Sequence, residues 1–241
     1  MIDISEIFHS LQGEGLYIGT SSIFIRLSHC NLACCFCDAN YTWNWEGTDF
    51  QHKDNIKFNR EKETHPMSVG DIMQKVREIR DNNFCNHIVV TGGEPLIQHV
   101  VLTPLFKELV DLGLEIEIET NGTIVPNEQF NSYITHYTVS PKLTNSNNPE
   151  KLRDRKRAIE FFIDQRTAFK FVVCDEKDME EIRSWQEKYH VCNEDVYLMP
   201  EGRTAEEVSQ KSGWIADICK KYGYKFSTRL QILLWGNQRG T

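Results

Sequence analysis

Short apolar or alternating segments recur along the chain, and helical patterns lie between them. Six segments have the length and the side-chain alternation of β-strands. They cover residues 22–28, 87–93, 114–120, 136–140, 169–173 and 195–199. Strands that alternate with helices are usually parallel and joined by crossover connections. The pattern therefore predicts an α/β fold, a partial (β/α)6-type barrel of parallel strands that is shorter than a complete eight-fold barrel.

Four helices are predicted from capping residues and periodicity. They run from Ser68 to about residue 79, from Thr103 to Gly113, over residues 176–189, and from Thr204 to about Tyr222. Glu207 lies three residues after Thr204, which is the spacing of a capping box. Pro104 is placed at the first helical position, where its missing N–H costs no hydrogen bond.

Residues 41–66 interrupt this alternation. The segment mixes charged residues with Trp43 and Trp45 and shows no clear period. Long irregular segments in compact domains are usually functional loops or disordered. We predict one domain over residues 1–241, with 41–66 as an irregular insertion.

Composition and charge narrow the functional classes. Of the 241 residues, 40% are hydrophobic and 26% are charged, which predicts a globular core. The net charge of -8 argues against general binding to nucleic acid or to anionic membranes. The one basic run, Lys151 to Arg157, is interrupted by Asp154, and we interpret it as a solvated helix face.

The expected compartment is the cytoplasm. The N-terminal residues lack the basic and apolar regions of a signal peptide, and no apolar run is long enough to cross a bilayer. Eight cysteines without an export signal indicate reduced thiols or metal ligands rather than a disulfide framework.

The stretch CNLACCFC, residues 30–37, follows the first predicted barrel strand. Cys30, Cys34 and Cys37 form a C-x3-C-x2-C motif. Three thiolates in one loop can hold three irons of a [4Fe-4S] cluster and leave the fourth iron open to a small molecule. Structural zinc is the alternative, with His29 or Cys35 as a fourth ligand, but zinc sites often use two separated pairs and no second C-x-x-C pair follows. We interpret Cys35 as a small buried side chain.

With an aromatic residue, Phe36, before its last cysteine, this motif resembles the signature of the radical S-adenosylmethionine (SAM) enzymes. A second motif, VTGGEPL at 90–96, follows the next predicted strand and is similar to the glycine-rich segment of that superfamily. The resemblance implies a full or partial β/α barrel with the cluster loop after the first barrel strand. It also implies that SAM chelates the open iron and is cleaved reductively to methionine and a 5′-deoxyadenosyl radical, which abstracts a hydrogen atom from substrate.

Three further motifs resemble one family within that superfamily, the 7-carboxy-7-deazaguanine synthases of queuosine biosynthesis. They are SLQGEG at 10–15, SPK at 140–142 and RLQILLWGNQRGT at 229–241. The resemblance implies a lyase that converts 6-carboxy-5,6,7,8-tetrahydropterin into 7-carboxy-7-deazaguanine and ammonia, with SAM regenerated. It further implies a homodimer, and a flavodoxin or ferredoxin as electron donor.

The same resemblance assigns the site residues. The cluster ligands are Cys30, Cys34 and Cys37, and no side chain is assigned as a catalytic group because SAM supplies the radical. The residues assigned to SAM are Phe36, Asp38, Gly93, Glu94, Ser140 and Lys142. Those assigned to the pterin are Leu11, Gln12, Gly13, Glu14, Arg26, Thr91 and Thr241, the last through a C-terminal tail that closes the site.

The chemistry of two of these residues supports the assignment. Strand periodicity puts Arg26 on the same side as Phe24, facing the barrel mouth, where a bidentate grip on the substrate carboxylate would satisfy its guanidinium. An ion pair with a neighbouring acid is the alternative. The Glu94 carboxylate can accept a hydrogen bond from the SAM ammonium group.

Two positions depart from the family pattern. Many relatives have Thr or Ser, whose hydroxyl binds magnesium, where this chain has Ala39. Asn40, Thr42 or water would have to supply that oxygen, so the sequence leaves the use of magnesium open. Gln231 stands where several relatives have histidine, so a contact can be kept but a titrating group is lost.

Two other functions stay open from the sequence. A radical SAM activase of a glycyl radical enzyme would need a groove for a protein loop instead of a pterin site. A non-catalytic protein that uses the cluster as a structural staple would cleave no SAM.

Overall fold

The computed structural model describes residues 1–241 and contains one nine-stranded sheet, ordered β3-β1-β2-β4-β5-β6-β7-β8-β9. The strands are β1 Ile2–Leu11, β2 Ser21–Leu27, β3 His65–Met67, β4 His87–Gly92, β5 Glu115–Thr120, β6 His136–Val139, β7 Thr167–Val173, β8 Val196–Pro200 and β9 Lys225–Phe226. From β2 through β4 to β9 every neighbouring pair is parallel. This run confirms the predicted partial barrel, and each of the six predicted strands is found within one or two residues of its expected ends.

The sequence pattern missed strands at both edges of the sheet. β1 pairs antiparallel with β2 and with β3, and its register shifts between Ile4 and Glu6. Such a bulge breaks the two-residue period on which strand prediction depends. β9 has only two residues, Lys225 and Phe226, which is too short for a periodic signal.

Nine α-helices lie between the strands or after the last one. They are α1 Arg60–Glu63, α2 Val69–Asn82, α3 His99–Asp111, α4 Glu128–Asn131, α5 Glu150–Arg153, α6 Lys156–Ile163, α7 Asp178–Tyr189, α8 Ala205–Tyr222 and α9 Leu230–Trp235. The Ser68 cap and the Thr204–Glu207 capping box are present as predicted. The predicted start of α3 at Thr103 is wrong, because a turn at Pro95–Gln98 leads directly into a helix that begins at His99.

Pro104 therefore lies inside α3, where proline normally destabilises a helix. The carbonyl that loses its partner belongs to Val100, which is 64% exposed and so can bind water instead.

The apolar core lies between the sheet and the surrounding helices. It is one cluster of 39 buried residues, which includes Phe106, Phe130 and Phe162 from the helices. The inner side of the barrel is polar by comparison, since Glu117 and Lys170 are buried there. The polar interior is where the barrel can hold a ligand. No helix has both the length and the apolar character needed to cross a membrane.

Candidate active site

One cavity opens at the carboxyl ends of the parallel strands, which is where β/α barrels place their active sites. Its wall is built from β1, β2, β4, β5, β6, β7 and β8, from loops that follow several of these strands, and from the C-terminal segment. The strands contribute Phe8, Leu11, Phe24, Arg26, Thr91, Gly92, Glu119, Thr120, Thr138, Lys170, Val172 and Met199. The cavity is therefore closed by segments that are far apart in the sequence.

Three thiols face this cavity. Cys30, Cys34 and Cys37 line it, whereas Cys35 turns away and its Sγ donates to the carbonyl of Asn145 at 3.4 Å. His29 Nε2 is paired with a carboxylate of Asp3 at 3.0 Å. Neither candidate for a fourth zinc ligand thus lies on the cavity wall.

The surroundings of the thiols fit an iron–sulfur cluster. Asn148 Nδ2 donates to Cys34 Sγ at 3.2 Å, and Trp43 Nε1 donates to Cys37 Sγ at 3.4 Å. Burial, followed by the negative charge of Asp38, raises the pKa of Cys37 to about 12. A thiolate is therefore stable here only beside a strong positive charge, and metal ions provide one. No three His, Cys, Asp or Glu side chains are arranged to hold a single metal ion.

The glycine pair of TGGEP packs against the cysteine loop. Gly92 has a φ of +128°, and a Cβ on Gly93 would lie 1.9 Å from the carbonyl oxygen of His29. The backbone N–H of Gly93 donates to Leu27 at 3.0 Å, and that of Glu94 donates to His29 at 2.8 Å. The two motifs that the sequence analysis treated separately therefore form one backbone unit, and only glycine permits this approach.

Glu94 differs from its sequence-based expectation. It is fully buried and does not line the cavity. Its carboxylate accepts hydrogen bonds from the Leu96 N–H at 3.0 Å, the Thr120 hydroxyl at 2.7 Å and the Asn121 N–H at 2.7 Å. Thr120 and Asn121 do line the cavity, so Glu94 positions the wall and is not itself exposed to a ligand in this geometry.

The other residues assigned to SAM lie on the wall. Phe36, Asp38, Gly93, Ser140 and Lys142 all line the cavity. Lys142 Nζ donates to Ser140 Oγ at 2.8 Å, so the SPK motif presents an ammonium and a hydroxyl side by side. Such a pair suits a carboxylate or a ribose.

The residues assigned to the pterin also share this cavity, which is lined by Leu11, Gln12, Gly13, Glu14, Arg26, Thr91 and Thr241. Arg26 Nε donates to Glu6 at 2.7 Å, and its terminal nitrogens have no hydrogen bond to the protein. The ion pair that we considered as an alternative is thus present, but it uses one edge of the guanidinium only. The other edge is available to an anion.

Glu14 is held by protein groups on both oxygens. One oxygen bonds Lys170, and the other accepts from Arg229 Nε at 3.1 Å and from Gln231 Nε2 at 2.8 Å. These partners hold the pKa of Glu14 far below its usual range even though burial alone would raise it. The loop after β1 is thereby tied to β7 and to the start of α9.

Several polar residues of the cavity were not predicted from the sequence. They include Glu119, Lys170 and Arg229, and Gln231 was noted only as a departure from the family pattern. The segment LEIEIET carried a usable signal, because a strand with glutamates at every second position must direct them to one face. Glu119 accepts from the Thr91 hydroxyl at 2.7 Å.

Residue 39, the position considered for magnesium in the sequence, offers no side-chain oxygen to the wall. Ala39 lines the cavity. The Thr42 hydroxyl donates to the Ala39 carbonyl at 2.7 Å, and the Asn40 amide donates to Asp54 at 3.2 Å. Neither substitute lines the cavity, so these residues do not fit a side-chain magnesium site.

Comparisons with known proteins agree with this site. Residues 24–164 match the radical SAM superfamily. The 7-carboxy-7-deazaguanine synthase of Halobacterium salinarum is 36% identical over 98% of this chain and 91% of its own length, and that of Pyrobaculum aerophilum is 34% identical over 99% and 97%. The crystal structure of QueE from Escherichia coli superposes with a TM-score of 0.68 at 25% identity and covers 95% of this chain and 94% of that one. SuiB of Streptococcus suis, at 14% identity and a TM-score of 0.55, shares the fold.

A partial parallel barrel with three thiols at its mouth defines a radical SAM enzyme, which uses a [4Fe-4S] cluster and SAM. Relatives that match along nearly the whole chain narrow the class further. The chain belongs to the 7-carboxy-7-deazaguanine synthase family.

Proposed function

We propose that this protein is a lyase that converts 6-carboxy-5,6,7,8-tetrahydropterin into 7-carboxy-7-deazaguanine and ammonia. One observation carries the proposal: the three thiols and the free edge of Arg26 line the same cavity. A cluster and a carboxylated heterocycle can therefore be held together there. When bound, SAM at the cluster supplies the radical that abstracts hydrogen from the substrate.

The protein's own residues bind, orient and exclude water. Arg26 binds the substrate carboxylate through its terminal nitrogens, in the planar two-donor geometry that a carboxylate prefers. Gln12, Glu14 and Thr91 present donors and acceptors to the pterin ring, and Ser140 and Lys142 bind SAM. Thr241 closes the cavity at the chain terminus, where it lies on the wall.

Accessory parts of the reaction belong to the same proposal. A flavodoxin or ferredoxin supplies the electron, the working form is a homodimer, and the reaction takes place in the reducing cytoplasm. Magnesium has at most a small role, because Ala39 removes the hydroxyl that relatives use.

Anaerobic reconstitution with iron and sulfide, followed by incubation with SAM, dithionite and the carboxytetrahydropterin, tests the function. We expect 7-carboxy-7-deazaguanine and ammonia in equal amounts, measured by mass spectrometry and an ammonia assay. SAM cleavage without either product would favour the activase alternative. An intact cluster without SAM cleavage would favour the structural-staple alternative.

A further inference from the structure

The basic run that the sequence analysis interpreted as a solvated face lies beside the cysteine loop. It contains five basic and two acidic residues between 150 and 157, in a protein whose net charge is -8. α5 ends at Arg153 and α6 begins at Lys156, so the run is folded into two short helices with a bend at Asp154 and Arg155. A local positive surface on an acidic protein calls for an explanation.

Two chains of contacts connect this run to the cluster ligands. Arg153 Nε donates to the Asn148 carbonyl at 3.2 Å, and the amide of Asn148 donates to Cys34 Sγ at 3.2 Å. On the other side, Asn31 Nδ2 donates to the Thr123 hydroxyl at 2.8 Å. Asn31 follows Cys30 directly, and Thr123 shares a cleft with Arg155, Lys156 and Arg157.

Inward-facing charges of the run are neutralised, and the outward-facing ones stay exposed. Arg153 is buried and pairs with Glu181 at 2.7 Å, while Asp154 pairs with Lys188 at 2.6 Å. The exposed remainder is Lys151, Leu152, Arg155, Lys156 and Arg157, which we call the basic surface. It combines cationic side chains with one exposed apolar side chain, as protein-binding surfaces do.

Helix stability does not account for these charges. Arg155, Lys156 and Arg157 occupy the cap and the first two positions of α6. Cations at a helix N-terminus oppose the helix dipole, where acidic residues would stabilise. Lys156 has only a 3.6 Å contact with the exposed Glu160, which contributes little.

We propose that the basic surface docks an acidic protein that delivers single electrons to the cluster. The inference rests on the proposed function, which needs an external reductant. The reduced donor is oxidised by one electron, and this electron enters the site held by the three cysteines. Charge complementarity speeds such encounters and suits the small, short-lived interfaces of electron-transfer partners.

Two charge-reversal variants with the same net charge test the proposal. Arg155→Glu/Arg157→Glu changes the basic surface. It should keep its fold, because the new acids favour the start of α6. Lys220→Glu/Lys221→Glu is the control, because these exposed lysines lie in the last turn of α8. In β/α units that end of the helix is remote from the carboxyl ends of the strands.

The probe is a low-potential flavodoxin, and the first measurement is its dissociation constant by calorimetry at low salt. We expect roughly tenfold weaker binding for Arg155→Glu/Arg157→Glu and unchanged binding for the control. Wild-type binding should weaken with added salt, and the basic-surface variant should lose most of this dependence.

The second measurement compares SAM cleavage driven by reduced flavodoxin with cleavage driven by dithionite, which needs no docking. The basic-surface variant should keep its dithionite rate and require about tenfold more flavodoxin for half-maximal rate. Equal flavodoxin affinity and equal flavodoxin requirement in both variants would overturn the proposal. Absence of SAM cleavage with dithionite in the wild type would overturn the proposed function instead, and the binding measurement would still decide the docking surface.

Discussion

Arg26 Nε and Glu6 Oε1 lie 2.7 Å apart, and this ion pair leaves the terminal nitrogens of the guanidinium without a protein partner. The same Glu6 oxygen accepts a hydrogen bond from Tyr41 at 2.6 Å. Glu6 therefore keeps a partner when Arg26 is removed, and the structural and binding roles of Arg26 can be tested separately.

Arg26→Ala should keep its cluster and should still cleave SAM slowly in the absence of substrate. Its turnover of the pterin should fall roughly 30-fold or more, because a charge pair with the substrate contributes about 2–5 kcal/mol. Arg26→Lys should recover only part of the pterin turnover, since an ammonium group lacks the planar two-donor edge of a guanidinium. Iron content, melting temperature, SAM cleavage and product formation are measured on one preparation. A well-folded Arg26→Ala protein with unchanged substrate affinity would contradict the assignment.

The cluster ligands can be separated from their neighbour in sequence. Cys34→Ala should abolish the brown colour and the roughly four irons per chain expected after reconstitution. Cys35→Ala should keep most of both, because its Sγ bonds the Asn145 carbonyl away from the cavity. Loss of the cluster in Cys35→Ala, with retention in Cys34→Ala, would show that the ligands were assigned wrongly.

Gly93→Ala should lose iron although residue 93 is not a ligand. The added Cβ would lie 1.9 Å from the His29 carbonyl oxygen and would displace the backbone next to Cys30. Gly213→Ala is the control, since nothing lies within 4 Å of its Cβ position in α8. That control should keep its iron and gain about 0.5–1 kcal/mol of stability. Normal iron content in Gly93→Ala would argue against the packed backbone unit.

Removal of magnesium should change the wild-type rate by less than about twofold, because Ala39 offers no side-chain oxygen to hold the ion and magnesium binds through oxygen ligands. Ala39→Thr restores the hydroxyl and should become more sensitive to magnesium. Ala39→Val matches it in shape without the hydroxyl and should not. Turnover is measured with and without magnesium after treatment with chelator. Equal magnesium responses in the two variants would show that the missing hydroxyl at residue 39 does not determine the response to magnesium.

Glu117 should make stability depend on pH. Burial, and next the charge of Glu119, raise its pKa to about 7. Since the folded state holds this proton more tightly than the unfolded chain, the stabilisation is complete below the ordinary glutamate pKa of about 4.5 and is lost as pH rises through about 7. Glutamine does not titrate, so the Glu117→Gln variant should lose less stability than the wild type as the pH rises across this window. The difference should be on the order of 1–3 kcal/mol.

Melting temperatures at several pH values, measured anaerobically, test this prediction. In the wild type, Gln12 Nε2 donates to Glu117 at 2.9 Å, and the variant places an amide nitrogen near this donor. The melting temperature of the variant can therefore change at every pH, and the slope of melting temperature against pH is the quantity to compare. Glu115→Gln, at an exposed position on the same strand, is the control. Parallel slopes for wild type and Glu117→Gln would contradict the prediction.

The sequence by itself determined the parallel strands, the N-terminal caps of α2 and α8 and the chemistry of the cysteine loop. These features depend on local periods, capping residues and short motifs, which a linear pattern records. It did not determine β1, whose bulge between Ile4 and Glu6 breaks the period, or the start of α3 at His99.

Tertiary structure alone decided which side chains face the cavity and which only support it. Glu94 was expected to meet a ligand, yet its carboxylate is occupied by Thr120 and two backbone donors. Lys170 and Arg229 were not anticipated, because their partner Glu14 is 156 and 215 residues away in sequence. Hydrogen bonds across such separations depend on how strands close into a barrel, and no local pattern of residues encodes them.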